Sequence, residues 1–316
     1  MAAPLRAVLD EAEGSLFADL PRAALALCRV ALQRYPRCIR ATVITASALW
    51  ALGESEGAVR AVRVILQADP EHLMARYLLA TALEDDRLDE AIAEMEVAFS
   101  LSPANPDVRQ ALKRLYHTRD RVAPPPPRAG RDALARTYAR AGQWDRVLAE
   151  CLDLTAAHPS RVDLKVLLLE ARWRLGQVSQ AMALCQDLLA GNPYCLKADL
   201  ILGDIWLQAG KAEAAEVHFG KALALDPEGS MAAMLFGAAG RPVPFPMDEP
   251  WVDLGAATGE ETAQDGAGTE WGGVPDGGDA ETSEPSEPTG EASEPPGEPT
   301  NEPTCDGVRL LTQGPS

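Results

Sequence analysis

Six prolines, Pro36, Pro70, Pro103, Pro159, Pro193 and Pro227, stand 34, 33, 56, 34 and 34 residues apart. A period of this length marks stacked supersecondary units, none of which can bury its apolar face alone. Other positions keep the same register. Twelve residues before each proline lie Ala24, Ala58, Ala91, Val147, Ala181 and Ala215. Eight before lie Cys28, Val62, Met95, Cys151, Cys185 and Phe219; five before lie Ala31, Ile65, Ala98, Leu154, Leu188 and Ala222. A glycine stands 17 residues before four of the prolines, as Gly53, Gly142, Gly176 and Gly210. The pattern describes a helical hairpin. The glycine ends helix A in the left-handed conformation, the small residue lets helix B approach, and the proline stops helix B.

The copy Leu202-Gly203-x2-Trp206…Gly210…Ala215-x3-Phe219-x2-Ala222-x4-Pro227 resembles the tetratricopeptide repeat, with its 34-residue period. The resemblance covers roughly residues 3–240 and is strongest in the last three units. It implies an all-α fold, a right-handed α-solenoid of helical hairpins. Val147 in place of alanine, and cysteine in place of an aromatic residue at Cys28, Cys151 and Cys185, imply locally altered packing.

The 56-residue interval interrupts the array. Asn105-Pro106-Asp107 starts a helix whose apolar stripe is Val108, Ala111, Leu112, Leu115 and Tyr116. Its expected partner is replaced by Val122-Ala-Pro-Pro-Pro-Pro-Arg128, which cannot be helical interior. The next helix A is predicted from about Ala129 to Ala141, using Leu134, Ala135 and Tyr138. The chain therefore divides into an N-terminal block (1–121, about 3.5 repeats), a proline-rich linker (122–128) and a C-terminal block (129–240, about three repeats). A capping helix, Met231–Gly240 with apolar Met234, Leu235 and Phe236, is expected to close the C-terminal block.

Residues 241–316 differ in kind. They hold 17 of the 47 acidic residues and two of the 29 basic ones, so they carry -15 of the net -18. With 12 Pro and 12 Gly in this stretch, a disordered acidic tail is expected. Two islands break it: Pro244-Phe245-Pro246-Met247 with Trp251-Val252-Asp253-Leu254, and Val308-Arg309-Leu310-Leu311. The near-neutral body lacks the cationic surface that nucleic-acid binding needs. No run reaches the ~18 apolar residues of a membrane span, and Met1–Glu11 lacks a secretory pattern. A cytoplasmic protein is expected, and the Arg-over-Lys and Ala/Gly/Pro bias points to a bacterial source. The six cysteines form neither a disulfide framework nor a zinc spacing. His72, His117, His158 and His218 are scattered, and no nucleophile–base arrangement emerges. A non-catalytic protein without metal or cofactor is expected.

In tetratricopeptide arrays the helices A line a concave groove. By that resemblance the partner-binding candidates are Arg40, Val43 and Trp50, then Arg76 and Leu83, then Arg136 and Arg140. Trp173, Arg174, Leu200 and Leu207 complete the set. Trp and Arg dominate many binding energies. The expected function is an interaction scaffold or adaptor that binds peptides or protein surfaces in this groove, modulated in cis by the acidic tail. The alternative is a structural protein that self-associates through the helix around Met231–Phe236. The subtype that grips a partner's C-terminal carboxylate uses Asn where this chain has Ser47, Ala80, Arg136, Glu170 and Asp204, and it is not expected here.

Overall fold

The hairpin glycines take left-handed backbone: φ is +79° at Gly53, +69° at Gly142, +70° at Gly176 and +74° at Gly210. The first unit has Asp19 at the same register position, and it too is left-handed at +56°. Short polar side chains tolerate that conformation better than most. The third unit, whose period is one residue shorter, carries Asp86 there without a positive φ.

The computed structural model describes residues 2–122, 127–246 and 249–253. The contact pattern separates residues 1–260 from 261–316, and every described residue lies in the first unit. Strand β1 (Ala2–Pro4) leads into the hairpins α1 (Leu5–Phe17) with α2 (Pro21–Arg34), α3 (Ile39–Ala51) with α4 (Ser55–Ala68), and α5 (Leu73–Leu83) with α6 (Leu88–Leu101). A lone helix α7 (Pro106–Asp120) follows. The second series is α8 (Arg131–Arg140) with α9 (Trp144–Ala157), α10 (Val162–Arg174) with α11 (Val178–Gly191), and α12 (Leu196–Gln208) with α13 (Ala212–Leu225). Helix α14 (Ser230–Gly237) and strand β2 (Trp251–Asp253) complete the described residues. Consecutive helices pack on one another from α1 to α7 and from α8 to α13, as in a helical solenoid.

The repeat register is the core. All six residues twelve before the prolines and all six residues eight before them are buried. Of the six residues five before, Leu154 alone is half-buried. The small residue and its partner one turn later thus fill the space between helices A and B in every unit.

The interruption is absorbed by bypassing α7. Asn105 caps that helix, its Oδ1 accepting from the backbone N–H of Asp107 and Val108. Val108, Ala111, Leu112 and Leu115 are buried against α6, as the stripe requires. Helix α8 then also packs on α6, and Arg140 donates to the Leu101 carbonyl at 3.3 Å. In α8 the buried residues are Ala133, Ala135 and Arg136, while Leu134 is exposed, which corrects the expected use of Leu134. Residues 123–126 of the proline linker lie outside the described residues.

The expected boundary at 241 also needs correction. Arg241 ion-pairs with Asp204, Phe245 packs on Phe219 at 4.5 Å between centroids, and β2 pairs antiparallel with β1. Val252 is buried in the core of the first repeat, and the Leu5 N–H donates to the Pro250 carbonyl. Phe245 and Val252 of the apolar island are therefore part of the fold and fill places that the repeats leave open, while Met247 and Leu254 lie outside the described residues. The rest of the predicted disordered tail, 254–316, lies outside the described residues. The capping helix is shorter than expected, with Leu235 and Phe236 buried and Met234 exposed.

Candidate functional site

The two ends of this unit meet. Besides the β1–β2 pair, Arg40 donates to both oxygens of Glu228 at 3.2 Å, and Arg6 reaches the same carboxylate. Asn192 donates to the Gln67 carbonyl, and the Arg37 guanidinium lies over the Tyr194 ring. Glu71, in the turn before α5, accepts from Lys197 of α12 at 2.7 Å and stands 3.7 Å from Arg136 of α8. The interior surface of the helices A is thus largely enclosed.

The enclosed residues form a connected charge network. Arg136 donates to Asp163 at 2.6 Å; Arg161 donates to Asp163 twice, at 2.8 Å, and to Asp132 at 3.3 Å. Burial alone would raise the Asp163 carboxyl, but the Arg161 hydrogen bonds and the Arg136 and Arg161 charges hold it at about 2. Lys197 links Glu71 to Glu170, and Glu170 accepts from Arg174 at 2.9 Å. Burial opposes the ionised Glu170, and the Lys197 and Arg174 charges outweigh it, so its pKa falls below the usual carboxylate range. Buried ions of this kind persist because each has hydrogen-bonded partners.

Against this network the groove candidates divide. Leu83, Arg136 and Leu200 are buried, at 7%, 4% and 1% exposure, so as placed they cannot touch a partner. Val43 and Trp50 pack against the core of the N-terminal block. Arg40 is held by Asp10, Glu13 and Glu228, and Arg76 by Glu94 and the Pro70 carbonyl. Closure accounts for Arg40 and Arg136, onto which it brings Glu228 and Glu71; Arg76 is held within its own hairpin, and Leu83, Val43 and Trp50 pack inside their block. Trp173, Arg174, Arg140 and Leu207 remain. Arg140 and Leu207 are exposed.

Trp173, Arg174 and three unpredicted residues make an aromatic–cationic stack. Arg174 lies 4.9 Å from the Trp173 ring centroid and 5.1 Å from that of Trp144. Arg241 approaches Trp173 and Phe236 at 5.9 Å each, and Phe236 meets Trp173 edge-on at 5.7 Å. The Trp173 indole N–H and both Arg241 guanidinium nitrogens converge on Asp204. A cavity of about 400 Å³ borders this stack, and a second of about 360 Å³ lies on the Arg140 side. Trp144 had a legible signal, an aromatic residue directly after the Gly142 turn. Arg241 had none, because it follows the last repeat in a stretch of tail-like composition.

The described cysteines, Cys28, Cys38, Cys151, Cys185 and Cys195, are buried free thiols. Burial raises the thiols of Cys28, Cys151 and Cys195 to about 12 and that of Cys38 to about 11. Cys305 lies outside the described residues. No cluster of metal-ligating side chains occurs, and no helix is long and apolar enough to cross a membrane, among the described residues.

Comparison with known proteins returns one family. The model described as "Tetratricopeptide repeat" matches residues 45–106 and 133–195. No curated protein matches in sequence. Among solved structures, MamA is 14% identical with a TM-score of 0.30, covering 70% of this chain and 96% of its own. A tetratricopeptide repeat protein from Parabacteroides merdae is 17% identical (TM-score 0.33, 75% of this chain, 84% of its own). YrrB, described as a TPR protein with an unusual peptide-binding site, is 15% identical (TM-score 0.28, 66% and 94%). The repeat-model match and the buried 34-residue register place the chain in the tetratricopeptide repeat family, whose members serve in general as protein-interaction scaffolds.

Proposed function

We propose that the chain is a non-catalytic scaffold that binds a peptide or protein surface at the aromatic–cationic stack of its C-terminal block. The observation that supports this most is Arg174 held between Trp144 and Trp173 beside a cavity of about 400 Å³. Trp and Arg in a preorganised, partly desolvated setting are the residues on which binding energy concentrates. Of the wider groove, Arg140 and Leu207 extend the same accessible surface. Acidic partner segments suit it, because the exposed Arg140 at its edge supplies charge-assisted donors. The chain's own acidic stretch 254–316 has the same charge as such partners, and we assign it the role of a competitor.

Affinity capture from native lysate with the full chain, beside Trp144→Ala/Trp173→Ala of unchanged helicity, tests the site. The expected result is a partner captured by the parent and lost by the variant. Equal capture by both overturns the stack as the binding surface. Removing residues 254–316 is expected to raise partner affinity at low salt; unchanged affinity removes the competitor role.

A further inference from the structure

The second cavity shares Arg140, Trp144 and Arg174 with the proposed interaction surface but adds a chemistry of its own. It lies where the two blocks meet: Glu71 comes from the N-terminal block, Arg136, Arg140, Arg174, Lys197 and Glu170 from the C-terminal one. Four cations and two carboxylates line it, and behind them Asp163 holds Arg136. Both carboxylates are already engaged, Glu71 by Lys197 and Glu170 by Lys197 and Arg174. Two donors are left over. Arg136 Nε and Arg174 Nη1 are buried without an acceptor among the described residues, on side chains that are 5% and 6% exposed. A buried guanidinium N–H without an acceptor is costly, so such a group points to a missing acceptor. The remaining wall is apolar, with Leu101, Leu167 and Leu235 in it and Met234 at its exposed edge.

From these observations we infer that the cavity binds a small organic carboxylate with an apolar body. The two unused donors match the two oxygens of a carboxylate in number, and its charge offsets part of the cationic excess. Phosphate fits less well, because its further oxygens find Leu and Met rather than donors. A volume of about 360 Å³ holds a small molecule and is near the lower bound of ligand sites. The ligand would touch both blocks at once and so hold them together. This inference goes beyond the scaffold role and its test involves no partner protein.

The test is titration calorimetry of the full chain with 4-phenylbutyrate, its neutral amide, inorganic phosphate and a peptide with a free C-terminus. The expected result is saturable binding of the acid, with the amide at least tenfold weaker and no binding of phosphate or peptide. Met234→Trp fills the cavity edge from an exposed position and is expected to abolish acid binding with helicity unchanged. Arg174→Lys keeps the charge but loses the fork, and is expected to weaken the acid by about tenfold. The inference is overturned if acid and amide bind alike, if phosphate or the peptide alone binds, or if Met234→Trp binds the acid like the parent. Absence of saturable acid binding by about 10 mM also overturns it.

Discussion

The groove-side helices of the two blocks occupy equivalent repeat positions yet are built from different materials. In α3 and α5 the inward residues Val43, Trp50 and Leu83 are apolar and pack on the core of their own block. In α8, α10 and α12 the equivalent layer carries Arg136, Asp163, Glu170 and Asp204, all buried. The first layer is held mainly by hydrophobic burial within a block, beside the pairs Arg40–Glu228 and Arg76–Glu94. The second is held by ion pairs that reach into neighbouring units and, through Glu71, into the other block. Charge on a groove helix therefore marks a binding surface only when nothing from the same chain has reached it first.

Asp163→Ala should show the largest contrast. It leaves Arg136 and Arg161 facing each other without their shared anion, and a loss of about 3–5 kcal/mol is expected in urea unfolding. Arg76→Ala, in the apolar block, breaks one pair with Glu94 and two bonds to a carbonyl, for about 1–2 kcal/mol. Equal losses would erase the distinction between the layers.

Glycines sharpen it next. A Cβ on Gly203 would lie 2.6 Å from the Phe219 ring, so Gly203→Ala should cost about 1–3 kcal/mol by overpacking. A Cβ on Gly57 meets the Leu49 side chain at 3.2 Å, and Leu49 can yield. Gly57→Ala should therefore be neutral or stabilising by up to about 1 kcal/mol. Thermal melts of the two variants decide this.

Acid provides the third comparison. The folded Asp163 carboxyl lies at about 2, below its unfolded value of 3.8, so its stabilisation is complete above the unfolded value and lost as pH falls through the folded one. The stability difference between parent and Asp163→Asn should shrink by about 2 kcal/mol between pH 5 and pH 2. A difference that stays constant over that range would mean that folding leaves the Asp163 carboxyl unshifted. The smallest effect belongs to the exposed pair Arg87–Glu90. Arg87→Ala should change stability by less than about 0.5 kcal/mol, and less still in 1 M salt.

The hairpins were legible because their signal is local and repeated. A proline and the residue twelve before it recur six times, with a turn glycine in four of the units, and the buried register meets the requirement at Ala24, Ala58, Ala91, Val147, Ala181 and Ala215. The closure was not legible, because its partners lie far apart and follow no period. Glu228 meets Arg40, Lys197 meets Glu71, and Val252 enters the first repeat. Nothing in the neighbourhood of Arg40 distinguishes a cation awaiting a partner from one already paired by a residue 188 positions away. The apolar anchors Phe245 and Val252 stood out from the tail, but their proline-rich, acidic surroundings gave no sign of the repeats they pack against.

The pairing of Ala2–Pro4 with Trp251–Asp253 has a consequence for the order in which the fold assembles. A hairpin closes a loop of about 34 residues, whereas this pair closes one of about 250, and the added chain entropy is roughly 2 kcal/mol. Local contacts form first in such a topology and distant ones last. The clasp therefore belongs to the final folding step, after the helices have supplied the surfaces that bring the two strands together. Its mutations should leave the folding rate nearly unchanged and speed unfolding instead. In this protein the segment that seals the interior is also the one that forms last and parts first.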